Sequence, residues 1–119
     1  MEFSINFTNF ILLFAILAND NFQIRSIMPK ILIIEDEAAI RRVLTKILSE
    51  ENDTYKVEEA EDGLQGLEKI KNDDYDLVLC DIKMPKMDGV EVLEAVKKIK
   101  PEIPMVMISG HGDLETAIN

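Results

Sequence analysis

From Lys30 onward, short runs of apolar residues alternate with longer stretches in which apolar residues recur every three or four positions. Ile31-Leu32-Ile33-Ile34, Leu77-Val78-Leu79-Cys80 and Pro104-Met105-Val106-Met107-Ile108 carry no polar side chain. Each therefore predicts a strand buried on both faces, as central strands of parallel sheets are. Tyr55 to Ala60 is more polar and predicts a strand nearer an edge. Ile40, Val43, Leu44, Ile47 and Leu48 follow the 3.6-residue period, with Arg41, Arg42 and Lys46 on the opposite side, and predict an amphipathic helix. Leu64, Leu67 and Ile70 mark one side of a second, shorter helix. Asp88 predicts the N-cap of a third, which continues through Glu91, Val92, Leu93, Val96 and Ile99. Asp113, with Leu114, Ala117 and Ile118 behind it, predicts the start of a fourth. Strands alternating with helices in this way predict an α/β fold built on a doubly wound parallel sheet.

The pattern breaks near residue 28. All five phenylalanines precede Met28, whereas 21 of the 23 acidic residues follow it. The apolar stretch Phe10 to Ala18 is shorter than the roughly 20 residues that a spanning helix needs. Before it stand Glu2 and no Lys or Arg, so the basic start of a secretion signal is missing. The leading expectation is that residues 1–27 are an upstream extension outside the domain, such as a mis-assigned start, and that the domain runs from 28 to 119. A weak membrane anchor and a signal peptide are the alternatives. The leader shows no pattern suited to serving as a parallel strand.

Composition narrows the function classes. The chain has 119 residues, 47% hydrophobic and 30% charged, with a formal net charge of −10. One ordinary domain with a real core fits that length, and the charge opposes direct nucleic-acid binding by this segment. No membrane association is expected of the domain. Cys80, the only cysteine, lies inside an apolar run and reads as a buried, inert thiol.

Each apolar strand ends on a polar group. Ile34 runs into Glu35-Asp36-Glu37, Cys80 into Asp81, and Ile108 into Ser109-Gly110. In an open parallel sheet those ends share one edge, the edge at which α/β sheets bind ligands. If the first and third of these strands are neighbours, Glu35, Asp36 and Asp81 meet. Three carboxylates at about 4 to 6 Å repel one another enough to raise at least one pKa, unless a cation lies between them. With oxygen donors only and no twelve-residue calcium loop, the favoured cation is Mg2+. A carboxylate beside magnesium can also attack phosphorus and become an acyl phosphate. Taken singly, the same residues have simpler roles: the acids could stabilise the first helix N-terminus, Asp81 could be a turn residue, and Ser109-Gly110 could be a turn. Lys83 and Lys86 read as solvated loop cations, Met84 and Met87 as packing residues, and His111 as an exposed loop residue without a second ligand.

With Glu35-Asp36-Glu37, then Asp81 followed by Met84-Pro85-Met87-Asp88-Gly89, then Val106-Met107-Ile108-Ser109-Gly110, the stretch Met28 to Asn119 resembles the receiver domain of bacterial two-component response regulators. Gly110-His111-Gly112-Asp113 is similar to receivers of nitrogen-regulation-type transcription activators. The resemblance implies a three-layer, flavodoxin-like sheet. It also implies that Asp81 is the phosphoacceptor, that Glu35 and Asp36 form the acidic pair for Mg2+, that Lys83 offers its backbone carbonyl to the metal, and that Ser109 contacts the phosphoryl group. The implied partner is a sensor histidine kinase, the implied compartment is cytoplasmic, and the implied role is a signalling phosphoacceptor rather than an enzyme with turnover.

The family pattern continues into a fifth strand ending in lysine and a fifth helix, and this sequence lacks both. The expectation is a domain incomplete at its C-terminal end, with a homodimer through the missing region and an output domain outside this segment both compatible with it. Without them the Met105 to Ile108 strand is expected to be a bare sheet edge. Three other readings compete. A degenerate, phosphorylation-independent interaction module fits the missing lysine. A magnesium-dependent phosphohydrolase commonly wants an acid two residues beyond the nucleophile, where Lys83 stands. A flavin nucleotide module wants a hydroxyl-rich loop where this chain places acids.

Overall fold

The computed structural model describes residues 2–6 and 28–109. Strands β1 (Glu2–Asn6), β2 (Lys30–Ile34), β3 (Lys56–Ala60), β4 (Leu77–Asp81) and β5 (Met105–Ser109) form one sheet in the order β1-β5-β4-β2-β3, and every neighbouring pair is parallel. Helices α1 (Ala38–Glu51), α2 (Gly63–Asn72) and α3 (Gly89–Ile99) connect the strands that follow Lys30. From Lys30 to Ser109 the four expected strands and three expected helices are all present, and the polar β3 lies at an edge.

Both faces of the sheet are covered, which is why its central strands show no alternation. Ile31, Ile33, Leu77, Leu79, Val106 and Ile108 pack on one side with Ile40, Leu44 and Leu48 of α1. Leu32, Ile34, Val78, Cys80, Met105 and Met107 pack on the other with Ile70 of α2 and Val92 and Val96 of α3. The buried stripe of α1 is narrower than its apolar spacing predicts, and Val43 is exposed. In α2 the inward positions are Gly63, Gly66 and Ile70, while Leu64 faces outward. A Cβ at Gly66 would lie 2.5 Å from Ile34 Cδ1, so glycine lets this helix approach the sheet more closely than a leucine-lined face could.

The largest difference from expectation lies at the N-terminus. Glu2–Asn6 pairs residue for residue with Met105–Ser109, so β5 is an interior strand and the sheet has a fifth member drawn from the leader. The signal is visible in hindsight: Glu-Phe-Ser-Ile-Asn alternates polar and apolar residues with the period of a strand. It is five residues long and is overshadowed by the apolar run after it. That run, His111 and the expected fourth helix fall outside the described residues. Among the described residues no helix is long and apolar enough to cross a membrane.

Candidate functional site

Strand register builds the site. Ile34 pairs with Cys80, so the residues that follow them, Glu35 and Asp81, emerge side by side at the carboxyl edge of the sheet. The turn from β2 into α1 adds Asp36. One carboxylate oxygen from each of Glu35, Asp36 and Asp81 lies within 4.8 Å of the others. Glu35 and Asp81 are each only 2% exposed, and Asp36 is half-buried.

Burial decides the charge state here. It pushes the Glu35 carboxyl up to about 9, reinforced by the hydrogen bond and negative charge of Asp81 and by Asp36, against a small opposing effect of the Glu37 amide. Glu35 therefore keeps its proton at neutral pH when no cation is near. Asp36 Oδ1 is buried and has no hydrogen-bond partner. A buried acceptor left in that condition costs free energy that a cation would return. The donor set, three carboxylates with no nitrogen or sulfur, fits a hard divalent ion such as Mg2+.

The loop after β4 shapes the approach to Asp81. The Lys83 amide donates to Asp81 Oδ1 at 3.4 Å, and the Gly89 amide donates to the Ile82 carbonyl at 2.8 Å. A Cβ at Gly89 would stand 2.2 Å from the Asp81 carbonyl oxygen, so α3 can begin this close to the site only with glycine there. Asp88 caps α3 as its sequence predicts, its Oδ1 accepting from the Glu91 amide at 2.9 Å. Met84 is buried under the loop, and Lys86 takes a left-handed backbone with φ of 69°. Ile82, Lys83, Met84, Pro85 and Asp88 line an open groove of about 540 Å³. Ser109 is the last residue of β5 and registers with Asn6. Cys80 is fully buried and its thiol is pushed up by burial, so it is inert.

Sequence reasoning missed Arg41. Its position on the polar side of α1 suggested a solvated charge, yet its Nη1 donates to the Glu35 carbonyl at 2.7 Å and its Nε to Glu59 Oε1 at 3.1 Å. The available signal was only its spacing, one helical turn beyond the acidic turn.

A family model described as the response regulator receiver domain matches residues 31–119. The chain belongs to the response regulator receiver family. It is 38% identical over 88 residues to the transcriptional regulatory protein ZraR of Klebsiella oxytoca, covering 74% of this chain and 19% of that protein. It is 37% identical over 86 residues to the sporulation initiation phosphotransferase F of Bacillus subtilis (strain 168), covering 72% of this chain and 68% of that protein. A CheY-like receiver domain protein from Methanospirillum hungatei JF-1 superposes with a TM-score of 0.66 at 38% identity, over 76% of this chain and 71% of that one. The chain thus spans about a fifth of the length of ZraR and about two thirds of the phosphotransferase.

Proposed function

We propose that this receiver module accepts a phosphoryl group on Asp81 from a phosphohistidine of a sensor kinase, with Mg2+ held at Glu35, Asp36 and Asp81. The buried, unpartnered Asp36 Oδ1 beside two further carboxylates carries the reading, because that arrangement is costly without a cation. Asp36 is assigned as a direct ligand, with the Lys83 carbonyl as a further oxygen donor and Ser109 at the phosphoryl oxygens.

In the transfer, an Asp81 carboxylate oxygen attacks phosphorus and the phosphorus–nitrogen bond of the phosphoimidazole breaks. The electron pair goes to the imidazole nitrogen, and the product is an aspartyl phosphate. Residues of the loop from Ile82 to Asp88 line an open groove that begins one residue beyond Asp81 and offers a donor a path toward it, and the Lys83 amide orients Oδ1. Glu35, protonated before a cation arrives, limits the negative charge facing the incoming phosphoryl group. When bound, magnesium neutralises charge on the transferring oxygens. Loss of the phosphoryl group to water resets the module, which gives it a signalling role without turnover of an external substrate. The compartment that fits a sensor-kinase donor is the cytoplasm. An output domain beyond this segment would read the signal.

The test is intact mass after exposure to acetyl phosphate and MgCl2. The wild-type chain is expected to gain one phosphoryl group, and Asp81→Asn to lose nearly all of that gain, since an amide is a poor nucleophile. Labelling that survives the substitution would reject Asp81. An unlabelled wild type would leave a phosphorylation-independent docking module.

A further inference from the structure

The turn that delivers Asp36 to the site is three residues long, from the end of β2 at Ile34 to the start of α1 at Ala38. Its anchors converge on Arg41. The Glu35 amide donates to the Ala60 carbonyl at 3.1 Å, and the Glu35 carbonyl accepts from Arg41 Nη1 at 2.7 Å. The Glu37 amide donates to Glu35 Oε1 at 3.2 Å, and the Glu37 carbonyl accepts from the Arg41 amide at 3.0 Å. One residue thus grips both ends of the turn, its side chain on Glu35 and its backbone on Glu37, with Asp36 between them.

The third contact of Arg41 leaves the turn altogether. Its Nε donates to Glu59 of β3 at 3.1 Å, and the Arg41 side chain is only 15% exposed, far less than a solvated helix arginine. A guanidinium presents donors in a rigid fork, so one side chain can serve a main-chain carbonyl and a carboxylate at fixed angles, whereas an ammonium cannot hold both geometries.

We propose that Arg41 is a positioning residue for the acidic pocket: by holding the Glu35 carbonyl from α1, it sets the turn that aims Glu35 and Asp36 at a divalent cation. This rests on the magnesium reading above. Groups that orient ligands from behind commonly change metal affinity by about 10- to 100-fold when removed.

Calorimetric titration of the full chain with MgCl2, paired with thermal melts, separates positioning from simple stability. Arg41→Ala is expected to weaken magnesium binding by about tenfold, at the lower end of the range for such groups. Arg41→Lys keeps the charge but loses the fork, and an intermediate loss is expected. Glu59→Gln removes only the outer ion pair and is expected to keep nearly wild-type affinity. Asp36→Ala serves as the reference for loss of a ligand.

Wild-type affinity in Arg41→Ala, while Asp36→Ala no longer binds, overturns the proposal and leaves the magnesium reading intact. A loss in Glu59→Gln equal to that in Arg41→Ala also overturns it, because the effect would then pass through the tie between α1 and β3. If Arg41→Ala fails to fold, wild-type affinity in Arg41→Lys decides against the proposal in the same way. A wild-type chain that binds no magnesium at all rejects the reading itself.

Discussion

At Gly89 a single methyl group has nowhere to go. Its Cβ would meet the Asp81 carbonyl at 2.2 Å and Ile82 Cα at 2.8 Å, both backbone atoms that cannot swing aside. Gly89→Ala is expected to destabilise the fold by about 1–3 kcal/mol, the usual cost of overpacking. Urea unfolding should show a lower midpoint at unchanged slope, and an unaltered midpoint would mean that α3 shifts freely. The same crowding ties α3 to the end of β4, so a change at the helix start reaches Asp81 directly. At this scale Glu35, Asp36 and Asp81 were legible, because an acid that ends an apolar strand is conspicuous. Arg41 was not, since a cation on the polar side of a helix looks the same whether water or a main-chain carbonyl receives it.

At the scale of elements, β2, β3 and the connection between α2 and β4 are joined at the sheet end away from the acidic pocket by a polar cluster. The Tyr75 hydroxyl donates to Glu58 Oε1 at 2.7 Å, Lys30 Nζ lies 3.3 Å from Glu58 Oε2 and 5.1 Å from the Tyr75 ring centroid, and Lys30 also pairs with Asp73. The Tyr75 hydrogen bond holds the Glu58 carboxyl below its ordinary value against the opposing effect of burial, and Lys30 and Lys69 add to the lowering. A carboxylate depressed in the folded state stabilises above its unfolded pKa and loses that contribution as pH falls through the folded one. Wild type should therefore be more stable than Glu58→Gln near neutrality, and the gap should close as pH drops below the ordinary glutamate value of about 4.3. Parallel acid-unfolding curves for the two proteins would refute this account. The glycines of α2 belong to the same scale: counting apolar residues pointed to Leu64, whereas closeness to Met87 and Val92 selected Gly63, and closeness to Ile34 selected Gly66, as inward positions.

For the whole molecule, the sheet edge beside β5 matters most. β1 pairs along all five residues of β5, so the amides and carbonyls that would form an open edge have partners. Deleting residues 1–6 is expected to speed hydrogen exchange across Met105–Ser109 and to promote self-association, since bare parallel edges invite pairing with other chains. Hydrogen-exchange mass spectrometry with light scattering checks both effects. Unchanged exchange in the deletion would mean that β1 does not hold its place in solution.

The linear pattern of residues determined the three central strands, their helices and the three carboxylates at strand ends, because burial on both faces and amphipathic period are written into consecutive positions. Three matters depended on tertiary structure. Which strands are neighbours, and hence that Glu35, Asp36 and Asp81 share one pocket, follows from pairing between residues more than forty positions apart. The raised pKa of Glu35 follows from burial, which no local pattern carries. The role of β1 follows from the edge it meets: five alternating residues are too few to commit to a strand alone, and an unpaired parallel edge supplies the hydrogen bonds that make them one.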